Sequence, residues 1–182
     1  AHVEILKLFI DYPSKENIFS IHNIIHYGLK FNKNAGDWFG PDTISSILND
    51  LINLNKSLNF SAFLVKNQIL YIDELQNINQ PLILLIPLRL GLDKINQEYI
   101  NKLVEIIKID QSLGFIGGSP NKSYYFIGSN DNSFIYLDPH CNQKYVDLKN
   151  INIDELLTFH TTTVNLINFD KIDPSLSLGF YI

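Results

Sequence analysis

The tripeptide Asp138-Pro139-His140 holds the densest group of residue types in this sequence that could carry out chemistry. It follows an aromatic and branched stretch that predicts a strand over residues 133–137. Side chains two residues apart project from the same face of an extended backbone, so Asp138 and His140 are expected to lie side by side. A carboxylate beside an imidazole suits general-base chemistry, because the acid fixes the tautomer and stabilises the charged ring. The alternative interpretation is an Asp-Pro turn followed by a surface histidine.

Cys141 is the only cysteine of the chain and directly follows His140. A pair of nucleophile and base is not expected there, because neighbours on a strand point to opposite faces. A small, semi-buried thiol is the simpler interpretation, and a less favoured one gives Cys141 another base, such as His160. One cysteine also excludes an intramolecular disulfide and a cysteine-based zinc cluster, and it is typical of a reducing compartment.

A glycine-rich segment spans residues 114–120 and precedes a predicted strand. It lacks the Lys-Ser/Thr ending of a P-loop and the spacing of a dinucleotide fingerprint, so phosphate binding is not expected. We expect a flexible loop, or a close backbone approach to a bound peptide. Trp38, the only tryptophan, stands before a helix predicted to begin at Pro41. A tryptophan in such a position is usually a packing anchor and less often a lid over a site.

Two histidines four residues apart, His22 and His26, lie on a short predicted helix and could share a metal ion. The zinc-protease pattern needs a glutamate directly after the first histidine, and this position is Asn23. A third ligand is not evident, and the flanking isoleucines indicate a packing helix. We therefore expect neither a metal site nor a cofactor.

Length and composition bound the remaining possibilities. The 182 residues are 46% hydrophobic with a net charge of −5, which predicts one folded domain over residues 1–182. An acidic balance with one arginine argues against a nucleic-acid binder. The longest apolar run, residues 81–92, is too short to span a bilayer. The chain has no methionine and begins inside an apolar pattern, so we expect a fragment, a processed chain or a truncated gene product.

The spacing of apolar residues along the chain predicts the helices and strands that position these residues. Helices are predicted over residues 3–10, 20–28, 41–54, 93–107 and 154–159. Strands are predicted over residues 60–65, 69–72, 82–88, 123–128, 133–137 and 164–169. Helices come first and strands mostly later, which favours an α+β fold over a regular βαβ alternation.

Six segments resemble, in order, the autophagins, which are the cysteine endopeptidases called autophagy-related protein 4. The matching segments are residues 36–43 (GDWFGPDT), 81–91 (PLILLIPLRLG), 111–120 (QSLGFIGGSP), 125–128 (YFIG), 136–140 (YLDPH) and the closing residues 159–180 with Phe159-His160, Asp173-Pro174-Ser175 and Gly179-Phe180. The resemblance implies a papain-like α+β fold and a cytoplasmic thiol protease (a hydrolase) of autophagy and its associated protein transport.

By the same resemblance, His140 would be the catalytic base and Asp138 the residue that orients it. It also implies a set of residues that cover the substrate groove: Trp38, Gly117, Gly118, Ser119 and Pro120. The family trims a ubiquitin-like modifier, autophagy-related protein 8, after a glycine and releases it from phosphatidylethanolamine. The implied partners are thus the modifier and its lipid conjugate.

The sequence departs from the family at the nucleophile. The family's cysteine lies in a Gly-Trp-Gly-Cys-type segment ahead of the matched region, and these residues contain no such segment. The chain is therefore interpreted as the rear portion of an autophagin, with base and orienter but without the thiolate, and inactive alone. The alternative is a binding module or pseudo-enzyme that holds the modifier without cutting it.

Overall fold

The computed structural model describes residues 2–12, 14 and 16–182. In this part of the chain a mixed sheet has seven strands in the order β1-β2-β7-β3-β4-β5-β6. The strands are β1 (Ser61–Leu64), β2 (Leu82–Arg89), β3 (Ser112–Ser119), β4 (Lys122–Asn130), β5 (Ser133–Leu137), β6 (Asn165–Asn168) and β7 (Ser175–Tyr181). The helices are α1 (His2–Lys7), α2 (Ile21–Gly28), α3 (Pro41–Leu54), α4 (Gln97–Ile106) and α5 (Ile153–Leu157). Only β1 and β2 are parallel, and the other neighbouring pairs are antiparallel.

The helices pack on opposite faces of this sheet. On one face, α4 joins a core of stacked aromatic rings, in which the centroids of Phe115 and Phe126 are 4.4 Å apart. On the other face, α3 contacts β1, β2 and β7. A buried hydrogen bond of 2.7 Å between the hydroxyls of Ser45 and Ser177 joins α3 to β7. The α+β expectation is confirmed.

Local signals predicted several element boundaries correctly. The Ser20 side chain accepts a hydrogen bond from the backbone N–H of Asn23 and so begins α2. Pro41 occupies the first turn of α3, where its missing N–H has no intrahelical partner to lose. The hairpin of β4 and β5 also forms where it was predicted, around residues 129–132.

Four predictions are wrong in whole or in part. Residues 69–72 are not a strand, because β1 pairs with β2 in parallel instead of forming a hairpin. The helix predicted from Asp93 begins at Gln97, and α1 ends at Lys7 instead of residue 10. Residues 114–119 of the glycine-rich segment belong to strand β3 instead of a loop, because β3 pairs with β7 on one side and with β4 on the other.

The edge strand β1 is capped by a side chain of α3. The Asn53 amide donates a hydrogen bond of 2.8 Å to the Ala62 carbonyl, and its oxygen accepts one of 2.9 Å from the Ala62 N–H. Replacing Asn53 by Ala should lower the free energy of unfolding by about 1–2 kcal/mol, because both backbone groups lose their partner in a poorly hydrated position. Urea unfolding measures the change. Asn101→Ala, on an exposed position of α4, is the control and should change stability little; equal losses in both variants would contradict the capping role.

Candidate active site

Asp138 and His140 are in direct contact just after β5. Asp138 Oδ1 lies 2.6 Å from His140 Nδ1 and accepts a 2.9 Å hydrogen bond from the His140 backbone N–H. A carboxylate only accepts, so Nδ1 carries the shared proton, and Nε2 of the neutral ring keeps its lone pair. The His140 side chain is 51% accessible to solvent, and residues 138–140 do not form a turn. An exposed imidazole whose Nε2 keeps its lone pair is what a general base requires.

The surroundings hold Asp138 in its charged form. The hydrogen bond from the His140 backbone lowers the pKa of this carboxyl group most, followed by the imidazole contact and the positive charge of Lys122. The pKa of the Tyr136 hydroxyl is raised, mainly by burial, and the nearby Tyr124 and Asp138 raise it further. A charged Asp138 stabilises the imidazolium that forms when His140 takes a proton.

A groove of about 620 Å³ lies where the ends of β2 and β3 meet the start of β7. It brings together the side chains and backbone of the residues predicted to cover a substrate: Trp38, Gly117, Gly118, Ser119 and Pro120. Trp38 is 52% exposed and stands just before α3, so it is not a buried anchor. The other residues come from the end of β3 and the turn that follows it. Positions about eighty residues apart in sequence thus border one cavity.

The wall of the groove is fixed by hydrogen bonds. Asp173 donates its backbone N–H to the Gly118 carbonyl over 2.8 Å. The Arg89 guanidinium donates to the Ser175 hydroxyl over 3.1 Å and to the Leu92 carbonyl over 2.7 Å. These bonds connect the neighbouring ends of the interior strands β2, β7 and β3.

Asp138 and His140 do not line the groove. Lys122 borders the groove, and its charge also lowers the pKa of Asp138. The sequence analysis did not single out Lys122, an isolated charge without a motif of its own, and it named Asp173 only within the closing segment that resembles the autophagins. It quoted Arg89 only within the apolar segment 81–91, although a lone arginine beside a buried strand was an available signal.

Cys141 is exposed, so the prediction of a semi-buried thiol is wrong: the chain has left the sheet after β5 and runs through irregular structure there. Within residues 2–12, 14 and 16–182, no hydrogen bond joins its sulfur to His140. The ring of His160 packs edge-on against that of His2, with centroids 4.8 Å apart.

Neither metal ligation nor a membrane span is found among the residues that the structure describes. They contain no group of three or more His, Cys, Asp or Glu side chains able to hold a metal ion. None of their helices is long and apolar enough to cross a membrane.

The family model of the peptidase C54 catalytic domain matches residues 1–182. The chain belongs to the peptidase C54 family. Its mixed sheet and flanking helices agree with the papain-like fold of this family of cysteine proteases, and the resemblance seen in the six segments is confirmed.

Curated relatives of this C54 chain are cysteine proteases. It is 35% identical over 181 residues to the probable cysteine protease atg4 of Schizosaccharomyces pombe, covering 98% of the chain and 55% of the relative. It is 32% identical over 189 residues to the cysteine protease ATG4C of Xenopus tropicalis, covering 99% of the chain and 41% of the relative. It is 30% identical over 209 residues to the cysteine protease ATG4A of Mus musculus, covering 97% of the chain and 52% of the relative. The chain thus spans about half the length of the curated relatives it matches.

Proposed function

We propose that this C54 chain supplies the base half of a thiol peptidase active site, with His140 as the general base and Asp138 as the residue that orients it. The observation that carries the proposal is the 2.6 Å contact between Asp138 Oδ1 and His140 Nδ1. It leaves Nε2, on an exposed ring, free to take a proton from a thiol and to return it to a leaving amine.

The substrate is the C-terminal tail of a ubiquitin-like modifier, autophagy-related protein 8, cleaved after glycine, as the resemblance to the autophagins implies. The groove supports this choice. Trp38, Gly117 and Gly118 line it together. A glycine-ended tail suits a narrow groove, because a residue without a side chain lets the backbone pass closely. Release of the same modifier from phosphatidylethanolamine, in the cytoplasm, uses the same groove.

The nucleophile comes from a polypeptide segment outside residues 1–182. Two observations support this part of the proposal. Cys141 lacks a hydrogen bond to His140 in the described part of the chain. The sheet face that carries α3 also has an open apolar cavity of about 360 Å³, lined by Leu48, Leu113 and Tyr125 among others. On the edge strand β6, Leu166 is 49% exposed. A segment packed on this uncovered face would shield it from water.

The test follows intact masses of a modifier precursor that is extended beyond its terminal glycine. Residues 1–182 alone should release no tail, and adding the polypeptide encoded directly upstream should restore cleavage. Release by residues 1–182 alone would overturn the proposal and make Cys141 the suspected nucleophile, with Cys141→Ser as the deciding variant. Binding without release under either condition would instead favour the second candidate, a module that holds the modifier without cutting it.

Trp38 gives this proposal a separate test through binding. Trp38→Ala should weaken the affinity for the modifier by about tenfold or more, since an aromatic residue that closes a groove typically contributes over 1.4 kcal/mol. Trp38→Phe should retain most of the affinity. Titration calorimetry measures both variants, with Tyr99→Ala on α4 as the control away from the groove. Unchanged binding by Trp38→Ala would remove Trp38 from the substrate site.

A further inference from the structure

The His140 ring has a second neighbour besides Asp138. The ring of Tyr124, on β4, meets it edge-to-face, with centroids 6.2 Å apart and planes at 86°. This is a favourable geometry for two aromatic rings. Asp138 holds the imidazole at Nδ1, and Tyr124 contacts the ring itself.

Tyr124 is itself held firmly. It is only 7% exposed, and its ring lies 4.3 Å from that of Tyr136 and 6.3 Å from that of Phe126. Its backbone pairs with Gly117 of β3, a residue of the groove wall. The side chain therefore connects the aromatic core to the accessible imidazole.

We propose that Tyr124 is a positioning residue that keeps the His140 ring in the orientation needed for proton transfer. The proposal rests on the proposed function, in which His140 is the base. A hydrogen bond at Nδ1 alone leaves the ring free to swing about that contact, because half of the His140 side chain faces water. The buried ring of Tyr124 closes off part of this motion, so the ring spends more time with Nε2 in the productive direction.

Position 124 therefore requires an aromatic ring, and the hydroxyl group of the tyrosine is less important. The contact is between rings. Phenylalanine retains the ring and leucine does not. A role in core packing alone would instead affect stability and leave the turnover of the folded enzyme unchanged.

The experiment compares three variants in the cleavage-competent assembly of residues 1–182 with the upstream polypeptide. Tyr124→Leu should lower kcat by about tenfold with KM unchanged, because ring orientation affects the proton-transfer step and not the groove. Tyr124→Phe should stay within about twofold of the parent. Phe169→Leu is the control, since Phe169 packs at 4.6 Å on Phe134 in the same core without contacting His140 in the described structure. Nuclear Overhauser contacts between the rings at positions 124 and 140 should be present in the parent and in Tyr124→Phe.

The outcomes separate the two proposals. If His140→Gln abolishes cleavage but Tyr124→Leu turns over as fast as Phe169→Leu, the role of Tyr124 is wrong and that of His140 stands. If Tyr124→Phe loses as much kcat as Tyr124→Leu, the ring contact is not the cause. If His140→Gln cleaves normally, both proposals fall.

Discussion

Replacing His140 by glutamine is expected to lower kcat/KM for tail removal by about 10³-fold or more. Glutamine cannot take up a proton near neutral pH, so the thiol loses the group that activates it and the leaving amine loses its acid. Binding of the modifier should be nearly unchanged, because His140 does not line the groove. The two measurements are steady-state cleavage of the extended precursor and calorimetric binding.

Matched histidine and cysteine variants control this prediction. His160→Gln and Cys141→Ser should both retain full activity, which would also exclude the alternative in which Cys141 acts with His160 as its base. Asp138→Asn should lower kcat/KM by about 10²–10⁴-fold, because an amide neither fixes the tautomer of His140 nor stabilises its imidazolium form. Full activity of His140→Gln would contradict the assignment of the base.

Substituting alanine for Gly118 is expected to have the largest effect on stability among changes in the groove wall. A methyl group there would lie 1.9 Å from the Lys122 carbonyl oxygen, which belongs to the backbone of the neighbouring strand and has no rotamer to change. The strands β3 and β4 would have to separate, at a cost of about 2–3 kcal/mol in the free energy of unfolding. The displaced wall should also weaken binding of the modifier.

The adjacent glycine provides a matched control. A methyl group at Gly117 would come no closer than 3.4 Å, to side-chain atoms of Leu176 and Phe126. We expect Gly117→Ala to cost under about 1 kcal/mol, since this spacing is close to ordinary van der Waals contact. Urea unfolding of the two variants is the measurement. Equal destabilisation at both positions would show that loss of glycine itself, and not the contact with Lys122, governs stability here.

Interactions between residues close in the chain were predictable from the sequence. The cap at Ser20 and the first turn at Pro41 depend on neighbours within four residues, and both were predicted correctly. The contact between Asp138 and His140 is also local, since the two residues are separated only by a proline that restricts the backbone. The six family segments added what local patterns lack, because they identified a cysteine protease before any fold was described.

Interactions between distant residues were not predictable in the same way. Residues 114–120 were expected to form a flexible loop or a close backbone approach to a bound peptide, because glycine permits both. In the sheet, β4 and β7 pair with this segment on both sides, and Gly118 suits it because the Lys122 carbonyl leaves no room for a side chain. Similarly, the thiol of Cys141 was expected to be semi-buried because the strand was assumed to continue, whereas β5 ends at Leu137.

The sequence by itself determined the family, most helix and strand positions and the Asp-His pair, because each depends on a local pattern or on a motif of few residues. Only the tertiary structure decided that Trp38 borders the same groove as Gly117 and Gly118, and that Tyr124 contacts the His140 ring. The order of the strands determines which distant residues become neighbours. That order depends on how both faces of the sheet are buried, which is a property of the whole chain and not of any one segment.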